Sequence, residues 1–190
     1  MDKSNGYEEH ADDFMRARRD HIGPDVVREW VQAFPPGAAV LELGCGHGVV
    51  SQVLVDHGLA LYAVDPSPTL LSAFRERFPG VQTECAAAED SNFFGRTFDG
   101  VIAWGLMFLL SEETQQMVLR KVARGLKPGG RLLFTAARDS VRWTDSITGL
   151  ESRSLGANEY ESMLRELGFD IEPGCIDAGE NYYYFGVKRG

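Results

Sequence analysis

The stretch VLELGCGHG, from Val40 to Gly48, carries the chain's most usable chemistry. Glycines at 44, 46 and 48 leave the main chain uncovered by Cβ atoms, so a ligand can lie against the backbone. A helix expected from Val49 aims its free N–H groups at the same place, which favours a carboxylate or a phosphate. Glu42 stands near the strand end, where an ordinary buried strand would carry an apolar residue. A second acid, Asp65, closes the apolar run LALYAV, Leu59 to Val64. A carboxylate at the tip of a second strand is placed to accept charge-assisted hydrogen bonds from ribose hydroxyls. The glycines are spaced G-x-G-x-G and Val49 follows, so the dinucleotide pattern G-x-G-x-x-G is not met and nicotinamide-dependent oxidoreduction is disfavoured. His47, inside the turn, has the unperturbed pKa of a general base; an incidental place in the turn is the alternative reading.

Alternating strands and helices must hold these groups. Residues 7–19 read as an amphipathic helix with Phe14 and Arg18 one turn apart, and Pro24 opens a second helix through Phe34. Strands are expected at 39–43, 60–64, 81–84, 98–104 and 131–136, with helices at 49–57, 68–77 and 112–125 and a turn or short helix at 89–94. That alternation implies parallel strands joined by right-handed crossovers, with helices on both faces. Residues 138–156 show no period and many polar groups, the pattern of a functional or mobile loop. A helix at 157–167 and two antiparallel strands, 169–177 and 181–188, close the chain.

At 190 residues the chain is long enough for one domain with a full core, so residues 1–190 are read as a single domain. A net charge of −9 disfavours a general nucleic-acid partner, since phosphate binding needs a positive field. Three cysteines, Cys45, Cys85 and Cys175, lack the paired spacing of a disulfide framework or a zinc site. No metal is expected, and a cytoplasmic location is. The longest apolar run, Val101 to Leu110, is too short to span a bilayer, so no membrane partner is expected.

Five motifs in order resemble those of the class I S-adenosylmethionine-dependent methyltransferases. VLELGCGHG is similar to the family's first motif and AVDPSP (Ala63 to Pro68) to its second. AAAED (Ala86 to Asp90) resembles the adenine loop. TFDGVIAWGLMFLL (Thr97 to Leu110) resembles the fourth strand and the methyl-transfer segment, and LKPGGRLLFTA (Leu126 to Ala136) the turn and fifth strand. The resemblance implies a Rossmann-like three-layer α/β/α sandwich with a seven-stranded, mostly parallel sheet in the order 3-2-1-4-5-7-6. It also implies S-adenosylmethionine as cofactor and S-adenosylhomocysteine as product. Carried over residue by residue, Gly44, Cys45 and Gly46 flank the methionine part, and Glu42 holds its amino group or is merely solvated at the rim. Asp65 binds the ribose, Pro66 and Ser67 border the adenosine, and Ala88 supplies a backbone contact. Either Glu89 or Asp90 meets the adenine amino group. Trp104 and Gly105 stand at the methyl-transfer site. Arg18, on an N-terminal helical cap of residues 1–34, would meet the cofactor carboxylate.

The chain departs from the family's specialised branches. AWGL (Ala103 to Leu106) replaces the Asp/Asn-Pro-Pro-Tyr/Phe motif of nucleobase amino-group enzymes. Cys45 and Cys175 are poorly placed to serve as the nucleophile of pyrimidine carbon methylation. Asp139 and Asp145 do not form the carboxylate cluster of metal-dependent catechol enzymes. The expected activity is methyl transfer to an oxygen or nitrogen atom of a small molecule. Methylation of a protein or RNA, and a non-catalytic cofactor-binding subunit, are the alternatives. No dedicated catalytic residue is evident; the candidates are His47, Trp143 and Tyr183. Residues 138–156, with Trp143 among their polar groups, are read as a substrate lid. The oligomeric state is left open.

Overall fold

Alternating side chains along the central strands divide one core into two. Leu132 and Phe134 face one side and Leu133 the other; Val101 and Ala103 oppose Ile102, and Tyr184 opposes Tyr183. This period of two is what a sheet covered on both faces requires. The computed structural model describes residues 3–17 and 22–190. Strands β1 (Ala39–Leu43), β2 (Ala60–Asp65), β3 (Gln82–Cys85), β4 (Phe98–Ala103) and β5 (Leu126–Thr135) are parallel, while β9 (Tyr182–Lys188) pairs antiparallel with β5 and β8 (Phe169–Ile176) pairs antiparallel with β9 at the sheet edge. Their order is β3-β2-β1-β4-β5-β9-β8. A separate hairpin, β6 (Val141–Thr144) with β7 (Glu151–Ser154), lies outside the sheet. Without those two strands the order is the expected 3-2-1-4-5-7-6.

Helices α2 (Pro24–Val31), α3 (Ser51–Asp56) and α4 (Pro68–Arg77) cover one face, burying Val27, Trp30, Leu54 and Phe74 against Val40, Ala63 and Ile102. Helices α5 (Glu112–Gly125) and α6 (Ala157–Glu166) cover the other, where Val118, Leu119 and Tyr160 meet Leu41, Val101 and Phe134. Their starts follow from sequence. Ser67 and Ser111 cap α4 and α5 by accepting from the N–H of Leu70 and Thr114, and Pro68 fixes the first turn of α4. Reversal of order at β1 and β4 leaves a crevice at the carboxyl ends of these strands, the usual ligand position in such sheets. Helix α1 (Ala11–Arg16) and the turns before it lie across that crevice.

Three expectations shift. The helix expected over residues 7–19 is confined, among the described residues, to Ala11–Arg16, with hydrogen-bonded turns before it. The loop expected at 138–156 contains the β6–β7 hairpin, and β5 begins at Leu126 rather than 131 because Leu126 already pairs with Phe98 ahead of an irregular register.

Candidate active site

The turn after β1 has the backbone that its glycines permit. Gly44 and Gly46 have φ of 69° and 53°, a region costly to residues with a Cβ. The N–H groups of Gly44 and Cys45 both bond to the Val64 carbonyl, at 2.8 and 3.2 Å, which ties the turn to the end of β2. Gly48, with φ of 90°, serves packing as well: a Cβ there would come within 2.4 Å of the Phe78 ring.

Asp65 is 6% exposed, and its oxygens accept from the N–H of Gly46 at 2.7 Å and of Ser67 at 2.9 Å. Burial raises its pKa to about 6 against the pull of those two N–H groups. The acid therefore braces the glycine turn and still has lone pairs to offer. Glu42 is 2% exposed and accepts from the Ser51 hydroxyl at 2.7 Å. Burial carries its carboxyl up to about 8; the Ser51 hydroxyl opposes this and nearby Asp65 adds to it. Burial also raises the Cys45 thiol well above its usual value, so it is no thiolate nucleophile.

A cavity of about 200 Å³ opens above this turn. Gly44, Cys45, Gly46, His47, Asp65 and Pro66 line one end, joined by Ala88 and Glu89 from the loop after β3. Glu89 holds an unusual group: its Oε2 is buried and has no hydrogen-bond partner among the described residues. A buried carboxylate oxygen without a donor is costly, and a ligand amino group would satisfy it. Lys121 of α5 fixes the loop from behind, donating to the carbonyls of Ala88, Glu89 and Ser91 at 2.8, 2.8 and 2.6 Å. Burial lowers the Lys121 pKa.

The N-terminal segment roofs the cavity and is held at three places. Lys3 pairs with Asp90 at 2.6 Å and Glu89 at 3.5 Å. Glu8 accepts from the Ser67 and Thr69 hydroxyls and from the Thr69 N–H, at the start of α4. Tyr7 donates to Asp145 at 3.3 Å and stacks edge-on with Phe14, which stacks in turn on His47. At the far end Trp104, Gly105, Leu106 and Phe108 meet the hairpin tip, Asp145 to Ile147, and Asn181. The Trp104 indole donates to the Tyr183 hydroxyl at 2.7 Å, and Tyr183 donates to Asp177 at 2.8 Å.

Of the residues singled out in the sequence, Gly44, Cys45, Gly46, His47, Asp65, Pro66, Ala88, Glu89, Trp104 and Gly105 border one cavity. Others do not. Glu42 lies beneath the turn with Ser51, and Ser67 is fully buried in capping α4. Asp90 turns outward to Lys3. Tyr183 is buried in the sheet, its hydroxyl engaged by Trp104 and Asp177, and burial raises its pKa; it is no base. Trp143 does not border the cavity but packs on Phe108, ring centres 5.6 Å apart, and Phe108 does. Arg18 lies outside the described residues. Sequence reasoning did not single out Tyr7 or Asn181, while the Asp145–Ile147 tip falls inside the 138–156 segment read as a lid. Tyr7 and Asn181 come from segments whose polar pattern gives no sign of where they fold back.

A methyltransferase-domain family model matches residues 40–130. The chain is 36% identical over 106 residues to a cypemycin N-terminal methyltransferase of Streptomyces sp, covering 53% of this chain and 43% of that protein. It is 30% identical over 145 residues to a ubiquinone biosynthesis O-methyltransferase of Xanthomonas axonopodis pv. citri, covering 69% and 58%. The chain thus spans about half the length of these curated relatives. The fold is also similar to Burkholderia thailandensis 1,6-didemethyltoxoflavin-N1-methyltransferase, whose crystal structure holds 1,6-didemethyltoxoflavin and S-adenosylhomocysteine. The TM-score is 0.76 at 17% identity, over 97% of this chain and 84% of that one.

Proposed function

We propose that this chain, which belongs to the class I S-adenosylmethionine-dependent methyltransferases, transfers the methyl group of S-adenosylmethionine to an oxygen or nitrogen atom of a small molecule. The observation that carries the reading is the partnerless Glu89 Oε2 in a cavity floored by the glycine turn and Asp65. An adenine amino group supplies the missing donor. Asp65 accepts from the ribose, and the Gly44–Gly46 backbone leaves room for the methionine part. When bound, the cofactor supplies a methyl group on a sulfonium, a carbon already carrying a good leaving group. The protein's work is then alignment and exclusion of water. Trp104, Leu106 and Phe108 border the end where the acceptor enters, and the N-terminal segment closes the roof. In this reading residues 1–34 are the cap, the 138–156 segment walls the acceptor end, and one domain carries both.

A peptide amino terminus is a second acceptor class, favoured by the likeness to the cypemycin enzyme. Among the described residues no helix is long and apolar enough to cross a membrane. The three free cysteines accord with a reducing cytoplasm. Calorimetric titration with S-adenosylhomocysteine tests the reading, with a parallel melting curve. Binding raises Tm, and Asp65→Ala weakens affinity roughly tenfold or more, the loss of hydrogen bonds to a charged acceptor. No Tm rise at millimolar ligand counts against it.

A further inference from the structure

Resting on that reading, we propose that the acceptor is an amine, held by the side-chain carbonyl of Asn181 beside Trp104. Asn181 borders the far end of the cavity. Its amide Nδ2 lies 3.1 and 3.0 Å from the two oxygens of Asp177. An ionised carboxylate only accepts, so nitrogen must face Asp177. The amide orientation, ambiguous in most asparagines, is fixed here by chemistry. Oδ1 is left as the other end, and it receives no donor among the described residues. A lone acceptor at a cavity wall selects a ligand N–H or O–H.

The surroundings choose between the two. Asp177 also accepts from the backbone N–H of Gly179 and Asn181 and from the Tyr183 hydroxyl, so a saturated carboxylate stands directly behind Asn181. The Tyr183 hydroxyl holds the indole N–H of Trp104, and Gly23 crowds that ring: a Cβ there would lie 2.7 Å from Nε1. Trp104 is thereby pinned at the cavity wall. The same cavity is lined by Phe108, Tyr7 and Asp145, whose carboxylate already accepts from the Tyr7 and Thr148 hydroxyls and from the N–H of Ile147 and Thr148. The aromatic rings favour a cation, and an ammonium brings both the charge and the N–H donors. For transfer, the ammonium first gives a proton to solvent. The nitrogen lone pair then forms the N–C bond as the S–C bond breaks, its electrons leaving on sulfur. The methylated ammonium releases or keeps its second proton according to its pKa. Asn181 keeps one N–H in place throughout and so directs the lone pair.

The test is calorimetric titration of protein loaded with S-adenosylhomocysteine, using benzylamine and its hydroxyl counterpart benzyl alcohol. The amine should bind about tenfold tighter or more, the worth of a hydrogen bond to a charged group. Asn181→Ala should reduce that preference to about threefold or less while S-adenosylhomocysteine affinity stays unchanged. Asp177→Asn, which lets the Asn181 amide turn its nitrogen to the cavity, should do the same, identifying Asp177 as a positioning residue. Equal affinity for the two probes, absence of binding by both, or an amine preference untouched by Asn181→Ala overturns the proposal. Failure of the wild type to bind S-adenosylhomocysteine overturns instead the cofactor reading on which it rests.

Discussion

Glu42→Gln should make the protein more stable, and by an amount that grows with pH. Glu42 is almost wholly buried, and its carboxyl is raised from 4.5 to about 8, first of all by that burial. In the unfolded chain the same group titrates near the ordinary glutamate value. Between these two values the folded protein holds a proton that the unfolded chain has released. The carboxyl's contribution to stability is therefore fully present below about pH 4.5 and is lost as pH rises toward 8. The linkage slope is about −1.4 kcal/mol per pH unit inside that window. From pH 6 to pH 7.5 the loss from this group is about 2 kcal/mol. Asp65, raised from 3.8 to about 6, contributes mainly below this interval. Glutamine keeps the Ser51 hydroxyl satisfied through its carbonyl and carries no charge. Urea unfolding of the wild type and Glu42→Gln at pH 6 and 7.5 checks the reasoning. The variant's stability relative to wild type should increase by about 2 kcal/mol across the interval. An unchanged difference refutes the claim that Glu42 is buried and protonated.

Three further outcomes are expected. Glu89→Ala should weaken S-adenosylhomocysteine binding roughly tenfold or more without lowering Tm, since it removes a partnerless oxygen, whereas Asp90→Ala, which breaks an exposed ion pair, should change affinity by about twofold or less; calorimetry on both reads the contrast, and equal effects reject the assignment of Glu89. Lys121→Met should raise amide hydrogen exchange across residues 87–91 and lower cofactor affinity, because three carbonyls lose one donor; unchanged exchange removes Lys121 as the brace of that loop. Trp143→Ala should leave S-adenosylhomocysteine affinity within about threefold, under 1 kcal/mol, while methyl transfer to an acceptor falls through loss of support for Phe108; a parallel loss of cofactor binding makes the hairpin part of the cofactor site instead.

Where a local rule and the tertiary fold agree, the sequence was readable. Helix α4 runs from Pro68 to Arg77, as its capping serine and first-turn proline announce, and the buried strand β1 ends where the glycines start. The hairpin at 141–154 was not readable as strands, because its inward positions include Ser152 and Ser154 rather than apolar residues. Arg142, Glu151 and Arg153 add an exposed charge cluster, so no alternation of hydropathy survives. The end of the cavity built by the glycine turn was legible through motif spacing. The choice between Glu89 and Asp90 was not, since one residue of shift in a loop reverses which side chain faces inward. Glu42, read as a ligand or a solvated rim acid because a strand-end acid is unusual, instead accepts from the Ser51 hydroxyl beneath the turn. Tyr183 and Asn181 occupy neighbouring positions in the last hairpin, and only the Asp177 turn decides that the tyrosine is a strut and the asparagine a wall.

That the cavity beneath the N-terminal segment is the cofactor site is tested most directly by a crystal structure of the full chain with S-adenosylhomocysteine. The adenine amino nitrogen is expected within about 3.2 Å of Glu89 Oε2, the ribose hydroxyls on Asp65, and the sulfur directed toward Trp104 and Asn181. A ligand bound elsewhere, or one in this cavity whose adenine leaves Glu89 Oε2 without a donor, contradicts it.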